Sequence, residues 1–197
     1  MTNSSLSFLK TITIFILTLA AVGVMSAKEY EVVKHSIRWT GSMPAKTHTG
    51  LLTPSTSDIE ISDEGVVERL NVLLDMNSVN VTDLEEGKMR RKLTAHFLSE
   101  DFFYTKEYPT SRFTLSEHSD SGFSGELEIR GVAHPISIPL EVTGNVSEGW
   151  TLKGSFEFDR QDFNVNYQNS GFLGAAKDKL IRDEVTLDIV LVVAPVS

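Results

Sequence analysis

The chain has 197 residues, 18 basic and 27 acidic, for a formal net charge of −9. Such a surface repels nucleic acids and anionic membrane faces, which need basic footprints. It has no cysteine, which removes disulfide staples, thiolate nucleophiles and thiolate metal ligands, and the length suits one domain with a substantial core.

The first element is an apolar run, TITIFILTLAAVGV over residues 11–24, behind the single cation Lys10. Ser26 and Ala27 follow, and then the polar KEYEVVKH. This is the pattern of a secretory signal peptide spanning residues 1–27. The run is short for a membrane span, which wants ~20 apolar residues. An uncleaved anchor is the alternative, and a lipoprotein anchor is excluded for want of cysteine. The expectation is a periplasmic or secreted protein with no stable membrane insertion once the leader is removed. Residues 28–197 then form one domain.

From Tyr30 onward the apolar residues recur with period two, the signature of half-buried strands. In EVVKHSIRWTG, His35, Ile37 and Trp39 share a face. In ERLNVLLDMNSV that face carries Leu70, Val72, Leu74 and Met76. Next, one helix is predicted over residues 83–98, where Met89, Leu93 and Phe97 fall on one side and Asp83 offers an N-cap, although Gly87 weakens the first turn. The stretch SEDFFYTKEYPTSRF over residues 99–113 has neither period. Placed between the helix and a strand beginning near Arg112, it reads as an end-plug with Phe102 and Phe103 pointing inward and Asp101, Lys106 and Glu107 in water; Pro109 turns the chain into the next strand.

The alternation resumes in SGFSGELEIRG, with Phe123, Gly125, Leu127 and Ile129, and in HPISIPLEVTG, with Ile136, Ile138, Leu140 and Val142. Pro139 lacks a ladder donor, so its strand is expected to bend, bulge or lie at an edge. WTLKGSFEFDR places Trp150, Leu152, Phe156 and Phe158 on one face, and the last run, IRDEVTLDIVLVV, alternates up to Ile189 and then turns fully apolar. Many antiparallel strands with one apolar face point to a sandwich or a closed barrel, and a barrel of about eight strands is filled by side chains or holds one small ligand. Periodicity leaves hollow and filled interiors open.

The chain contains no HExxH, GxSxG, P-loop or GxGxxG motif, and His35, His48, His96, His118 and His134 have no short metal-binding spacing. A tight hairpin joining His35 to His48 is the one route to a shared metal, and no metal site is predicted. FDRQDFNVNY gathers Asp159, Arg160, Asp162, Asn164 and Asn166 beside Phe158, Phe163 and Tyr167. It reads either as an ion-paired strand end or as a barrel mouth where Arg160 meets a head group.

Several of these residues resemble the YceI-like proteins, periplasmic lipocalin-like barrels associated with polyisoprenoid binding. ELEIRGVAHPISI is similar to that family's LTIRGVTKPV hairpin through Leu127, Ile129, Arg130, Gly131, Val132, Pro135 and Ile136. His35-Ser36 resembles its early His-Ser pair. Asp83, Leu93, Ser99, Asp101, Phe102, Phe103, Tyr108, Pro109 and Phe113 resemble its helix and DFFDxxxYPxxxF segment, and Asp159, Arg160 and Phe163 its late Arg-Asp-Phe motif. Trp39-Thr40-Gly41 with His48-Thr49-Gly50 resembles the branch that carries WTG and HxG.

The resemblance implies an all-β fold with one helix, an antiparallel lipocalin-like β-barrel with the helix packed at one end. It implies a carrier for a long amphiphile such as a polyisoprenoid, an isoprenoid quinone or a fatty amide, with no cofactor beyond that lipid and no catalytic residue. The expected cavity residues are Ile37, Trp39, Leu70, Val72, Leu74, Leu93, Phe97, Phe102, Phe103, Phe113, Phe123, Leu127, Ile129, Phe156, Phe158 and Phe163. Polar residues expected at its mouth are His35, His48, Arg160, Asp162, Asn164 and Tyr167. The alternatives are a structural or stress-related interaction protein with a filled barrel, with a homodimer left open, and an enzyme acting on a small substrate through His48 or the Arg160/Asp162 group.

Overall fold

The computed structural model describes residues 27–168 and 180–196, so the predicted leader lies almost entirely outside the described residues. Nine strands form one antiparallel sheet: β1 (Ala27–Met43), β2 (Lys46–Ser62), β3 (Val67–Val81), β4 (Thr110–Ser119), β5 (Gly122–Ile129), β6 (Val132–Ile138), β7 (Leu140–Asn145), β8 (Gly149–Asp159) and β9 (Glu184–Pro195). Helix α1 (Lys88–Leu98) lies between β3 and β4, and a single 3₁₀ turn (Arg160–Phe163) follows β8. The sheet order is β6-β5-β4-β3-β2-β1-β9-β8-β7, curled into a lipocalin-like half-barrel.

The two edge strands of that order, β6 and β7, are consecutive in the chain and separated only by Pro139. β6 pairs with β5 and β7 pairs with β8. They are in effect one strand divided by a proline that has no N–H to give the ladder. This is why nine strands are found where about eight were expected.

Three long strands build the continuous wall. β1 runs beside β9 with a bulge between Val32 and Lys34, and it pairs with β2 at both ends, Tyr30 with Ile59 and Ile37 with Leu52. The alternation read from the sequence is realised along β3, β5 and β8, where Leu70, Val72, Met76, Phe123, Leu127, Ile129, Trp150, Leu152 and Phe156 are buried.

Helix α1 begins at Lys88 and not at residue 83. Gly87 holds the cap position with no side-chain hydrogen bond, and Asp83 is engaged elsewhere. Leu93 and Phe97 pack against the core, whereas Met89, in the first turn, is exposed.

The interior differs between its two ends. Far from the helix, Tyr30, Ile59, Ile61, Val67, Phe123, Trp150, Leu152 and Val193 are buried to within a few per cent, and the Trp150 indole donates to the Tyr30 hydroxyl at 3.0 Å. A Cβ on Gly65 would come within 2.8 Å of the Trp150 ring. Gly65 has φ +87, so the turn that seats this ring favours glycine on two counts. This end is solidly packed.

Candidate functional site: a cavity beneath the helix

At the other end, Leu93, His96 and Phe97 of α1 face the last residues of β1 and the loop before β9. The cavity between them measures about 270 Å³. Its aromatic wall is assembled from edge-to-face contacts: Trp39 to Phe97 at 5.0 Å, Phe97 to Phe102 at 5.0 Å, and Phe102 to Phe103 at 5.9 Å between centroids. Such geometry suits the aromatic quadrupole and fixes ring positions. The stretch after the helix is the end-plug expected from the sequence: Phe102 is buried, Phe103 half-buried, and Asp101, Lys106 and Glu107 are exposed.

Backbone bonds hold this plug. The Phe103 N–H donates to the Phe97 carbonyl at 3.1 Å, and Tyr104, with φ 47, donates to the Ser99 carbonyl at 2.8 Å. From the turn between β5 and β6, the Arg130 guanidinium donates to the carbonyls of Phe102 (2.9 Å) and Asn164 (2.8 Å). It thereby joins the plug to the loop after β8.

The two motif glycines have different duties. A Cβ on Gly50 would lie 1.7 Å from the Asn80 carbonyl oxygen and 2.5 Å from the Trp39 ring. Its absence lets the Trp39 indole lie flat against β2 and donate to the Asn80 carbonyl at 3.1 Å. A Cβ on Gly41 would meet nothing within 4 Å. Gly41 lines the cavity, so the space it leaves is the cavity itself.

His48 also lines the cavity, and its Nδ1 lies 2.8 Å from Asp83 Oδ2. The other carboxylate oxygen of Asp83 accepts the Thr49 N–H at 2.9 Å. Burial alone would raise the Asp83 pKa, but the Thr49 N–H and His48 outweigh it and hold the carboxyl below its ordinary value. Asp83 therefore fixes the His48 ring instead of capping the helix.

Arg160 lines the cavity from behind, yet it has no donor left for a guest. Its Nε donates to the Arg182 carbonyl, Nη1 to those of Val165 and Tyr167, and Nη2 to the Ile181 carbonyl and Asp183 Oδ1. These are all five donors that a guanidinium has. The side chain is 2% exposed, and burial pulls its pKa down against the opposing pull of Asp183 and Asp159. Arg160 is a clasp between the loop after β8 and the segment before β9, which favours the ion-paired strand end of the two readings that its sequence left open.

A second, smaller cavity of about 40 Å³ lies deeper in the barrel. Trp39, Phe103 and Val185 border both cavities. Leu74, Leu127, Ile129 and Phe158 line the deeper one, as does Ser111, whose buried hydroxyl has no hydrogen-bond partner among the described residues.

Of the expected cavity residues, Trp39, Leu93, Phe97, Phe102 and Phe103 thus border the larger space and Leu74, Leu127, Ile129 and Phe158 the smaller. Ile37, Leu70, Val72, Phe123, Phe156 and Phe163 border neither and pack in the core, with Phe113 half-buried against it. Phe163 turns instead toward His134 and Phe158. Among the expected mouth residues, His48, Arg160 and Tyr167 are at the cavity, Arg160 with its donors engaged within the protein. His35, Asp162 and Asn164 are exposed and do not line it. His35 sits opposite Leu191 while His48 sits opposite Gly41, so the β1–β2 hairpin does not bring the two histidines face to face. Sequence reasoning passed over Met43, Lys46, His96, Ile181 and Arg182, all cavity residues. Lys46 and Met43 were detectable as the tip of a hairpin whose neighbours, Gly41 and His48, were already singled out.

An antiparallel half-barrel with an apolar cavity under helix α1 defines a lipocalin-like barrel protein. The chain belongs to the YceI-like domain family, whose profile matches residues 25–193. Over 107 residues it is 27% identical to a UPF0312 protein of Shewanella denitrificans and to Protein YceI of Escherichia coli, covering 49% and 50% of this chain. It spans about half the length, 52%, of each of these relatives. Among solved structures, a polyisoprenoid binding domain from Saccharophagus degradans superimposes with a TM-score of 0.62 at 16% identity, over 87% of this chain and 99% of that one. BcnA of Burkholderia cenocepacia gives 0.59 at 20% identity, over 80% and 95% of the two chains. At these identities the likeness is one of fold.

Proposed function

We propose that this protein binds and carries a long amphiphile, a polyisoprenoid, isoprenoid quinone or fatty amide, with its tail in the cavity beneath α1. The observation that carries the reading is the aromatic-walled space of about 270 Å³ bordered by Trp39, Phe97, Phe102 and Phe103. Burying each methylene of a tail there contributes roughly 0.8 kcal/mol before ordering costs, so affinity needs few polar contacts. Family membership and the solved polyisoprenoid binding domain of the same fold support it. The volume is just under the ~300–1,000 Å³ usual for small-molecule pockets. With the far end packed by Tyr30, Phe123 and Trp150, it suits one segment of a tail better than a chain threaded through the whole barrel. The role is binding, with no catalytic residue assigned, and the leader-like residues 1–27 support a periplasmic or secreted location.

Native mass spectrometry with organic extraction of the purified protein tests this. Recovery of a polyprenyl, quinone or fatty species is expected. A protein that carries no lipid and takes up neither quinones nor polyprenols from solution would overturn the proposal. Gly41→Phe projects a ring into open space and is expected to abolish uptake while the protein still unfolds cooperatively.

A further inference from the structure

The lining of the cavity has a charge pattern opposite to that of the chain. Acidic residues outnumber basic ones 27 to 18 overall, yet among the described residues no Asp or Glu lines the cavity, whereas Lys46, Arg182, His48 and His96 do. Arg160 is a fifth basic group, but its donors are all engaged within the protein.

Lys46 and Arg182 share one rim. Lys46 pairs with Met43 at the tip of the β1–β2 hairpin, and the Arg182 N–H donates to the carbonyl of the adjacent Ser42 at 2.8 Å. His48 is in the same hairpin, opposite Gly41. Both cations are exposed, and neither has an acidic partner among the described residues. The nearby acids are turned to other work: Asp83 to His48 and the Thr49 N–H, Asp183 to Arg160. An apolar well with two cations at its lip that no described acid pairs complements an acidic amphiphile.

We infer that the guest has an anionic head, a carboxylate or phosphate, seated at the rim between Lys46 and Arg182 with its tail against Phe97, Phe102 and Phe103. This rests on the carrier reading above and narrows it, since polyprenols, quinones and amides are neutral. Lys46 and Arg182 become the residues that select among lipids of equal tail length.

The test compares hexadecanoate, hexadecanamide and hexadecanol at about pH 8 on the full chain, read by quenching of Trp39, with farnesyl phosphate, farnesol and inorganic phosphate as a second series. Hexadecanoate is expected to bind roughly tenfold more tightly than its neutral analogues, a margin that shrinks toward unity near 1 M salt, where the screening length is ~3 Å. The Lys46→Ala/Arg182→Ala double variant is expected to bring the acid-to-alcohol affinity ratio to about one. Equal affinities for the three in the unaltered protein overturn the inference and leave the carrier reading standing. Failure of all three, and of farnesyl phosphate and farnesol, overturns the carrier reading. Inorganic phosphate binding as tightly as farnesyl phosphate identifies a free-anion site and also overturns the inference.

Discussion

The Trp150 indole N–H donates to the Tyr30 hydroxyl at 3.0 Å, joining residues 120 positions apart inside the closed end of the barrel. Both rings are almost wholly buried. Tyr30→Phe leaves the indole donor unpartnered in the core and is expected to cost about 1–3 kcal/mol. Trp150→Ala adds a cavity and is expected to cost about 3–5 kcal/mol. Urea unfolding of the two variants measures both. Equal and small losses would mean that the far end is not the packed end.

Arg160 is expected to govern folding and not guest selection. Arg160→Lys keeps the charge but has three donors in place of five, and it is expected to lose roughly 3 kcal/mol of stability. The same denaturant titration reads this loss. A variant of undiminished stability with altered lipid preference would show that the guanidinium serves the guest.

Ser111 offers the opposite sign. Its buried hydroxyl, beside the inner cavity of about 40 Å³, has no partner among the described residues. Ser111→Ala removes an unsatisfied polar atom and is expected to be neutral or to stabilise by up to about 1 kcal/mol. A loss above that size would reveal a hydrogen bond that the hydroxyl makes in solution.

His118 gives a pH dependence. Its Nδ1 accepts the Val67 N–H at 3.0 Å, and burial lowers its pKa, with Asp120 pulling weakly the other way. The unfolded chain takes up a proton near the ordinary value of about 6.5, while the folded one resists until lower pH. This contribution to stability is therefore complete above about 6.5 and is lost as pH falls through the window below it. His118→Gln is expected to flatten that part of the stability–pH curve. An NMR titration placing the folded His118 pKa above the ordinary value would reverse the sign and refute the account.

Much of this fold was legible because period-two runs survive intact in β3, β5 and β8. β2 was not, since its register shifts between Leu51 and Thr53, between Pro54 and Thr56 and again between Glu60 and Ile61, and each shift resets the alternation. The helix start was misplaced because Asp83 has the chemistry of an N-cap, and only the folded chain puts His48 and the Thr49 N–H within its reach. The aromatic wall was visible in Trp39, Phe97, Phe102 and Phe103. Ile181 and Arg182 were not, because the alternation of IRDEVTLDIVLVV reads as strand from Ile181, whereas β9 begins at Glu184 and these two reach the cavity from the segment before it. Arg160 stood out as polar and charged, but its engagement depends on carbonyls at Val165, Tyr167, Ile181 and Arg182 that no side-chain pattern encodes.

The division at Pro139 has a consequence for how the chain is wound. Pro139 is exposed, and the strands on its two sides pair with different partners, so cutting there severs no ladder. At the opposite side of the sheet, the Val196 N–H donates to the Glu29 carbonyl at 3.0 Å, which brings the two extremities of the barrel domain together. A circular permutant that opens at Pro139 and joins residue 196 to residue 27 through a short linker would retain every strand pairing of the sheet. The order in which this barrel is threaded is thus separable from the shape of its cavity.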